Sequence, residues 1–482
     1  MSKVVVLGSG FSGHTAISYL RKELGKEHEI VMVTPNSKWQ YIPSNIWIGV
    51  GEMTSKNTIF PLAPIYKRKN ITFLQAKVVS FFPEGDKELD KSYVLIEYVD
   101  GAKKGTTEKV DYDFLINGTG PRLDFDATEG LSPGKNKTVS VCSYDHAEHA
   151  WKELQKSINL MKKGQKQRFV VGTGHGLATC QGAAFEYILN LEQTLRKYKV
   201  RDQAEITWLS NEIEVGDFGM DGMTFSVGGK VMSSKDLGEM LFADRGIKWI
   251  TRSAVNKIED GIAHYENMEG EHKSIEFDFG MLIPKFSGHG FKSYDKDGND
   301  NTDKLFKAFM IVDADYTPKP YEEWTVQDWP ETYQNPSYAN IFAAGIAFHP
   351  PHAISKPYKS KNGTPIAPAP PRTGMPSAIT GKIVADNIIH MIKTGKNEII
   401  ERGSMGNMGA ACVASAGYGN LKGSAVTMMI EPIVPDYVKY PEYGRPLRAA
   451  SMGLSGHWIK KILHHMFIYK AKMLPGWNLI PE

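Results

Sequence analysis

Lys3-Val4-Val5-Val6-Leu7 is an apolar run at the head of the chain, and Gly8-Ser9-Gly10-Phe11-Ser12-Gly13 follows without a break. His14 to Leu20 then sets Ala16, Ile17 and Leu20 at helical spacing. Strand, G-x-G-x-x-G and helix in this order admit one local architecture, a strand–turn–helix unit of a parallel sheet that grips a dinucleotide. Gly8 makes the tight turn, Gly10 lets backbone approach a pyrophosphate, and Gly13 lets helix pack on strand. The pyrophosphate is met by unpaired N–H groups at the positive end of the helix, beside Phe11 and Ser12.

At 482 residues the chain exceeds one ordinary core, so two or three domains are expected. Hydrophobic residues make up 41% and charged residues 23%, the balance of a soluble globular protein. A net charge of +3 gives no general nucleic-acid surface, and no nucleic-acid partner is expected. No apolar run reaches membrane-spanning length, and the strand at residue 3 leaves no room for a cleavable signal. Cys142, Cys180 and Cys412 are too few and too far apart for a disulfide framework. They also lack metal-ligand spacing, so no metal centre is expected.

Residues 28–33 read as a second strand. It ends in Thr34-Pro35-Asn36 where many dinucleotide folds place an acid, so hydroxyl, amide or backbone groups must hold the ribose. The aromatic stretch from Trp39 to Gly51, broken by Pro43, is expected as a loop against the cofactor, with Ser44 and Asn45 among its contacts. Residues 71–79 and 93–99 read as strands, and Val78 is placed among the cofactor contacts. Residues 110–121 bring a strand and the turn Thr119-Gly120 back to the nucleotide, resembling the "ATG" segment of two-dinucleotide-domain flavoproteins. Residues 340–347 resemble their third flavin segment, with Ile346 after Gly345 where an Asp is usual, so the ribityl chain is expected to meet backbone.

A second unit of the same kind begins at Arg168-Phe169-Val170-Val171, with Gly172, Gly174 and Gly176 in its turn and a helix from Ala183. Two features argue against a nicotinamide there. The following strand, 205–209, ends in Ser210-Asn211 without an acid, and Cys180 stands where the helix N-terminus favours its thiolate. Residues 291–303 are polar and turn-rich, a surface insertion. The proline-rich stretch 349–374 is expected to lack regular structure and to wrap the flavin site, with Arg372, Thr373 and Gly374 as contacts. His349 and His352 within it are assigned packing or hydrogen-bonding roles. A helix is expected from Ser377 to Thr394, and Cys412 sits in a strand-like run. In 457–474 an apolar side (Trp458, Ile459, Ile462, Leu463, Met466, Phe467, Met473, Leu474) opposes a basic one (Lys460, Lys461, His464, Lys470, Lys472). That is the pattern of an in-plane interfacial helix, the alternative being a helix packed on the protein's own core.

Three motifs now converge: Tyr41-Ile42-Pro43-Ser44-Asn45-Ile46-Trp47 through Gly51, Cys142 with His146, and Cys180 with Gly182 and Glu186. With the tandem units and the tail, the chain resembles the sulfide:quinone oxidoreductase family over almost its whole length. The resemblance implies an α/β fold of two tandem Rossmann-like dinucleotide-binding domains plus a C-terminal membrane-binding region. Residues 1–122 and 305–395 would bind FAD, 123–304 would form the second Rossmann-like domain, and 396–482 would carry the last cysteine, a quinone site and membrane-binding helices. Cys180 and Cys412 would be the redox pair, as a disulfide or bridged by extra sulfur, with Cys412 nearer the flavin. Cys142 would serve sulfur entry, polysulfide growth or covalent flavin attachment. Glu186 and His146 would handle protons, and Lys461 or its neighbour Lys460 would lie near the quinone end of the flavin. The implied partners are sulfide, a membrane quinone, further copies of the chain and a bilayer, the last met through 457–474. The implied placement is peripheral and monotopic on a prokaryotic cell membrane. Asp217 departs from the family, which often carries His there. Three alternatives remain open: a type II NADH:quinone dehydrogenase, which needs an acid after Leu209; the flavin subunit of a cytochrome-linked sulfide dehydrogenase; and a non-enzymatic flavin-bound protein.

Overall fold

A computed structural model describes residues 1–371, 374–417 and 423–482, without the side chains of residues 411, 412, 428, 451 and 452. Arg372 and Thr373, expected at the cofactor, lie outside the described residues.

The first unit starts with β1 (Lys3–Leu7), α1 (Phe11–Glu23), β2 (Glu29–Thr34) and β3 (Thr72–Phe82). It continues through β4 (Tyr93–Tyr98), β5 (Thr107–Asp111) and β6 (Phe114–Asn117). β1 lies between β2 and β6, parallel to both, with Val4 facing Ile30 and Phe114 in register. Val4 to Leu7 are fully buried, because helices and strands cover both faces of a parallel sheet; this is why the run is continuously apolar rather than alternating.

The second unit holds β7 (Thr138–Val139), α2 (Tyr144–Lys162), β8 (Gln167–Thr173), α3 (Gln181–Lys197), β9 (Ala204–Leu209), β10 (Ile247–Ile250) and β11 (Phe279–Ile283). Its parallel sheet runs β7–β11–β8–β9–β10. The chain rejoins the first unit earlier than the expected boundary at residue 304. β12 (Lys292–Ser293) pairs in parallel with Ser80 and Phe81 of β3. Phe291 drives this docking, its ring 5.5 Å from Phe81 and 6.0 Å from Phe306. The stretch read as a surface insertion is exposed at its turn, residues 296–300, and at Lys292 and Asp303, but Ser293 and Asn301 are buried.

β13 (Ile341–Ala343) closes the first sheet beside β6, and α4 (Gly374–Thr394) packs on α1. A side chain at Gly381 would put its Cβ 2.3 Å from the Ser12 carbonyl oxygen, so the two helices meet backbone to backbone. The C-terminal part is the antiparallel sheet β14 (Ala410–Ala416), β15 (Ser424–Ile430) and β16 (Ser451–Gly453), with α5 (Leu454–Ala471) lying on β15.

In α5 part of the apolar side is exposed, while the basic side is largely covered. His457, Lys460, His464 and Lys470 point into the protein, while Trp458 (47% exposed), Ile459 (38%), Ile462 (61%) and Tyr469 (40%) point out. The inward polar groups find partners: Lys460 pairs with Glu186, His464 meets Ser44, and Lys470 meets Glu482 at 2.6 Å. A buried charge needs such compensation, and this inner face supplies it.

Candidate active site

The first glycine turn is closed everywhere except at its middle glycine. Gly8 has φ +87°, and a Cβ there would lie 2.4 Å from the Gly118 oxygen. A Cβ on Gly13 would lie 1.9 Å from the Gly8 oxygen. Gly10 has nothing within 4 Å of its Cβ position, leaving open space before α1. Gly10 caps α1 without a side-chain bond, and the first turn carries no acid, so its N–H groups face an anion unopposed.

The expected cofactor contacts surround this opening. The Thr34 hydroxyl binds Ser9 Oγ at 3.1 Å and accepts from the Asn36 N–H at 3.3 Å. Pro35 and Asn36 stay exposed. Thr119 donates N–H and hydroxyl to Asn117 Oδ1 (3.2 and 2.8 Å), which fixes the turn at Gly120, φ +68°. Gly345, φ +64°, gives its N–H to Thr380 Oγ1 at 2.9 Å, and Ile346 follows half-buried. Val78 lies half-buried on β3 beside a register shift. Gly374 opens α4 with φ +48°. The 39–51 stretch is largely buried, with Ile42, Pro43 and Gly51 exposed, and folds into short helical turns at Ile42–Ser44 and Asn45–Gly49. Ser44 Oγ lies 2.8 Å from His464 Nδ1, and Asn45 donates to the Val141 oxygen at 3.1 Å. Asn45 Oδ1 and Trp39 Nε1 are buried with no protein partner among the described residues.

The second glycine turn is filled by the chain itself. A Cβ on Gly176 would lie 2.1 Å from the Pro365 oxygen. Ala367 donates its N–H to the Gly176 oxygen at 2.9 Å, Ala369 to the Ala178 oxygen at 3.1 Å, and Thr179 Oγ1 to the Ala369 oxygen at 2.8 Å. Residues 365–369 therefore strap the turn that holds a nicotinamide dinucleotide in related architectures. The proline-rich stretch was expected to wrap the flavin and to lack regular structure. Its strap instead covers the second unit, and Tyr358–Lys359 pairs with Pro365–Ile366 in a short ladder. Proline is admitted there because an edge position needs no N–H donor. His352 accepts from Trp329 Nε1 at 2.8 Å, a hydrogen-bonding role.

One acid escaped the sequence reading. Glu212 lies just beyond Asn211, fully buried, accepting from Ser210 Oγ and from the Phe218 N–H, each at 2.8 Å. Burial, reinforced by Asp217, pushes its pKa up to about 8, so at neutral pH it is protonated and folded into its own loop. An unfolded carboxyl titrates near 4.5, so stability falls as pH rises from there through about 8. Glu212→Gln keeps the acceptor for the Phe218 N–H and offers an amide N–H to the Ser210 hydroxyl oxygen, without the ionisation. It should match the parent at pH 4.5 and exceed it by roughly 3–5 kcal/mol above pH 8, read by urea unfolding at the two pH values.

Cys180 ends the second glycine turn and caps α3, half-buried, with φ +73°. A left-handed conformation at a non-glycine residue costs on the order of 1 kcal/mol and marks a constrained position. The first turn of α3 carries no acid, so the helix end favours a thiolate there. Further along α3, Glu186 is buried; its Oε1 accepts from the Ser415 N–H at 3.2 Å and from the Ser415 hydroxyl, and pairs with Lys460 Nζ. Asn190 donates to the Ser415 oxygen at 2.5 Å and accepts from the Gly417 N–H at 3.0 Å. β14 is thus tied to α3 along its Glu186–Asn190 face. Cys412 sits on β14 opposite Met428; its side chain is among those not described.

Lys460, rather than Lys461, reaches Glu186, and its Nζ lies 4.9 Å from the Trp47 ring centroid. Lys461 is half-buried, which lowers its pKa. Cys142 is half-buried on the far side of the 39–51 stretch, and burial pushes its thiol up to about 11. His146 packs edge-on against Phe125 at 5.9 Å, its pKa lowered by burial. Of the two residues expected to handle protons, Glu186 is bonded to Ser415 and Lys460, while His146 packs on Phe125. Ser415 and Asn190 were missed; the signal for Asn190 was its place four residues after Glu186 on one helix face.

Residues 2–185 match the pyridine nucleotide-disulphide oxidoreductase family. A sulfide-quinone reductase of Aquifex aeolicus is 26% identical over 479 residues, covering 99% of this chain and 92% of that relative. The crystal structure of the Aquifex aeolicus sulfide:quinone oxidoreductase superposes with a TM-score of 0.73 over 98% of this chain and 92% of its own. Over nearly its whole length the chain is similar to sulfide:quinone oxidoreductases, and its first 185 residues carry the pyridine nucleotide-disulphide oxidoreductase match. The NDH2 of Plasmodium falciparum in complex with NADH shares the fold, at 14% identity and a TM-score of 0.64 over 98% of this chain and 96% of its own.

The match implies an FAD-dependent oxidoreductase. The first unit fits that cofactor. Gly10 and the open end of α1 suit its pyrophosphate, and the orphaned Asn45 Oδ1 and Trp39 Nε1 offer an acceptor and a donor in the loop beside it.

Proposed function

We propose that this flavoprotein oxidises sulfide and passes the electrons to a membrane quinone, with Cys180 and Cys412 as its redox pair. The observation that carries this reading is the register of β14 along α3. Glu186 meets Ser415 and Asn190 meets Gly417, so strand and helix advance in the same direction. The six residues from Cys180 back from Glu186 span about 9 Å of helix axis. The three from Cys412 to Ser415 span about 10 Å of strand. The two cysteine backbones are therefore at the same level.

In this reading hydrosulfide attacks a Cys180–Cys412 disulfide. A new S–S bond forms to one cysteine, the other leaves as thiolate, and the thiolate attacker is favoured near neutral pH. Each sulfide gives up a proton and two electrons as it becomes sulfane sulfur. The quinone takes up two electrons and two protons. FAD supplies the two-electron relay between the two sites. Glu186 with Lys460 holds β14 against α3, and so sets the distance between the cysteines. Cys142, whose thiol stays neutral, fits sulfur entry better than nucleophilic attack.

The NADH-oxidising alternative is disfavoured by the strap over Gly176 and by the buried, protonated Glu212. The outward apolar face of α5, with the neighbouring Ile42 (43% exposed), supports a monotopic membrane contact and hence a quinone acceptor rather than a soluble cytochrome. No described helix is long and apolar enough to cross a membrane. The test is an anaerobic flavin spectrum titrated with sulfide and, separately, with NADH. Bleaching by sulfide with silence toward NADH is the expected result. Bleaching by NADH alone overturns the reading.

A further inference from the structure

α5 ends at Ala471, and the chain turns through Met473 (φ +46°) and Gly476 (φ +75°). Beneath this turn lies a cavity of ≈ 390 Å³ that the proposed function does not use. Its walls are of two kinds. Met473, Leu474, Pro475 and Trp477 supply one, and Lys22, Arg68 and Lys69 the other. No acidic residue lines it. The three cations converge from two elements: Lys22 from the last turn of α1, and Arg68 and Lys69 from the end of the helix Ala63–Arg68. Arg68 is fixed in place by donating to the Lys472 oxygen at 2.6 Å. Lys22 has Glu23 as its ion-pair partner at the rim, at 2.6 Å.

The position of the cavity gives the cluster its meaning. It opens at the C-terminal end of α5, the helix whose Trp458, Ile459, Ile462 and Tyr469 are bare. Leu479, 82% exposed, lies just past the cavity wall. An apolar face ending in a cationic cleft lined by apolar side chains is complementary to one kind of surface. Acyl chains lie against the face, and an anionic headgroup phosphate enters the cleft.

We propose that Lys22, Arg68 and Lys69 with the turn 473–478 form a seat for the phosphate of an anionic phospholipid. The proposal rests on the reading of α5 as the membrane contact, and adds to it a preference for negatively charged bilayers. Each cation held at an anionic surface contributes roughly a fivefold preference. Two of them removed should cost about 25-fold.

The test is flotation of the flavin-loaded full chain with vesicles of phosphatidylcholine alone and of phosphatidylcholine with phosphatidylglycerol, at one ionic strength. Wild type should partition to the phosphatidylglycerol vesicles at least about 25-fold more strongly. Lys22→Gln/Lys69→Gln should lose about 25-fold of that preference, keeping the roughly fivefold share of Arg68, while binding neutral vesicles as before. A charge-matched control, Lys163→Gln/Lys166→Gln on the second unit, should keep it. Flavin content of each variant reports folding. Equal binding of wild type to both vesicle types overturns this proposal alone, as does a Lys22→Gln/Lys69→Gln variant that keeps the preference or a control that loses it. Binding to neither vesicle overturns the membrane reading as well.

Discussion

Cys180→Ser is expected to abolish sulfide-dependent quinone reduction, by about three orders of magnitude or more, with flavin still bound. A serine hydroxyl neither ionises near neutral pH nor forms an exchangeable S–S bond, so no residual pathway through that position exists. Cys412→Ser should be equally inactive, and the double variant no worse than either single one, because the two sulfurs act as one unit. Cys180→Gly separates chemistry from folding. Glycine accepts the φ of +73° without a Cβ penalty, so this variant should be inactive yet no less stable than the parent. Stopped-flow absorbance of the flavin on mixing with sulfide reads the chemical step directly. Turnover retained in Cys412→Ser would remove that cysteine from the mechanism. Cys142→Ser should cost far less, since its thiol is neutral at working pH.

The second large effect concerns stability. Lys460→Met leaves the Glu186 carboxylate buried without its cation. Removing one partner of a buried ion pair costs about 3–5 kcal/mol, more than the pair contributes against an apolar replacement. The double variant Glu186→Gln/Lys460→Met should therefore recover most of the loss, since glutamine keeps an acceptor for Ser415. Urea unfolding of the four proteins in the cycle measures the coupling. A Lys460→Met variant as stable as the parent would mean that Glu186 is not held as a carboxylate at all. Because Glu186 ties β14 to α3, the same variant should also lower the rate of sulfide reaction.

The parts of this molecule legible in its sequence are those with local signals. β1, α1 and β2 are written in an apolar run, a glycine spacing and a helical period that lie within one short stretch. The second unit repeats the signal, and Cys180 at the entry to α3 could be placed from it. Four features escaped because they depend on contacts distant in sequence. Which face of α5 is covered is not a property of its periodicity: the pattern marks two faces, and partners as far away as Glu186 and Ser44 turn the cationic one inward. The strap joins Ala367 to Gly176 across the chain, and nothing in a proline-rich run says which turn it will meet. β12 exists because Phe291 finds Phe81. Glu212 reads as an ordinary surface acid until its carboxyl is seen to be enclosed. In the candidate site the residue types were visible, while the pairing of Glu186 with Lys460 and Ser415 was not.

The strap has a consequence for how electrons are partitioned between the cell's carriers. Flavoproteins of this fold commonly keep two doors, one to a soluble nucleotide and one to a second redox partner, and either can load or drain the flavin. Here the first door is closed by backbone hydrogen bonds of the chain itself, from Ala367 and Ala369, which no change in coenzyme concentration competes away cheaply. On the proposed reading a flavin here would be insulated from the nicotinamide pool. Its redox state would then follow its remaining partners alone.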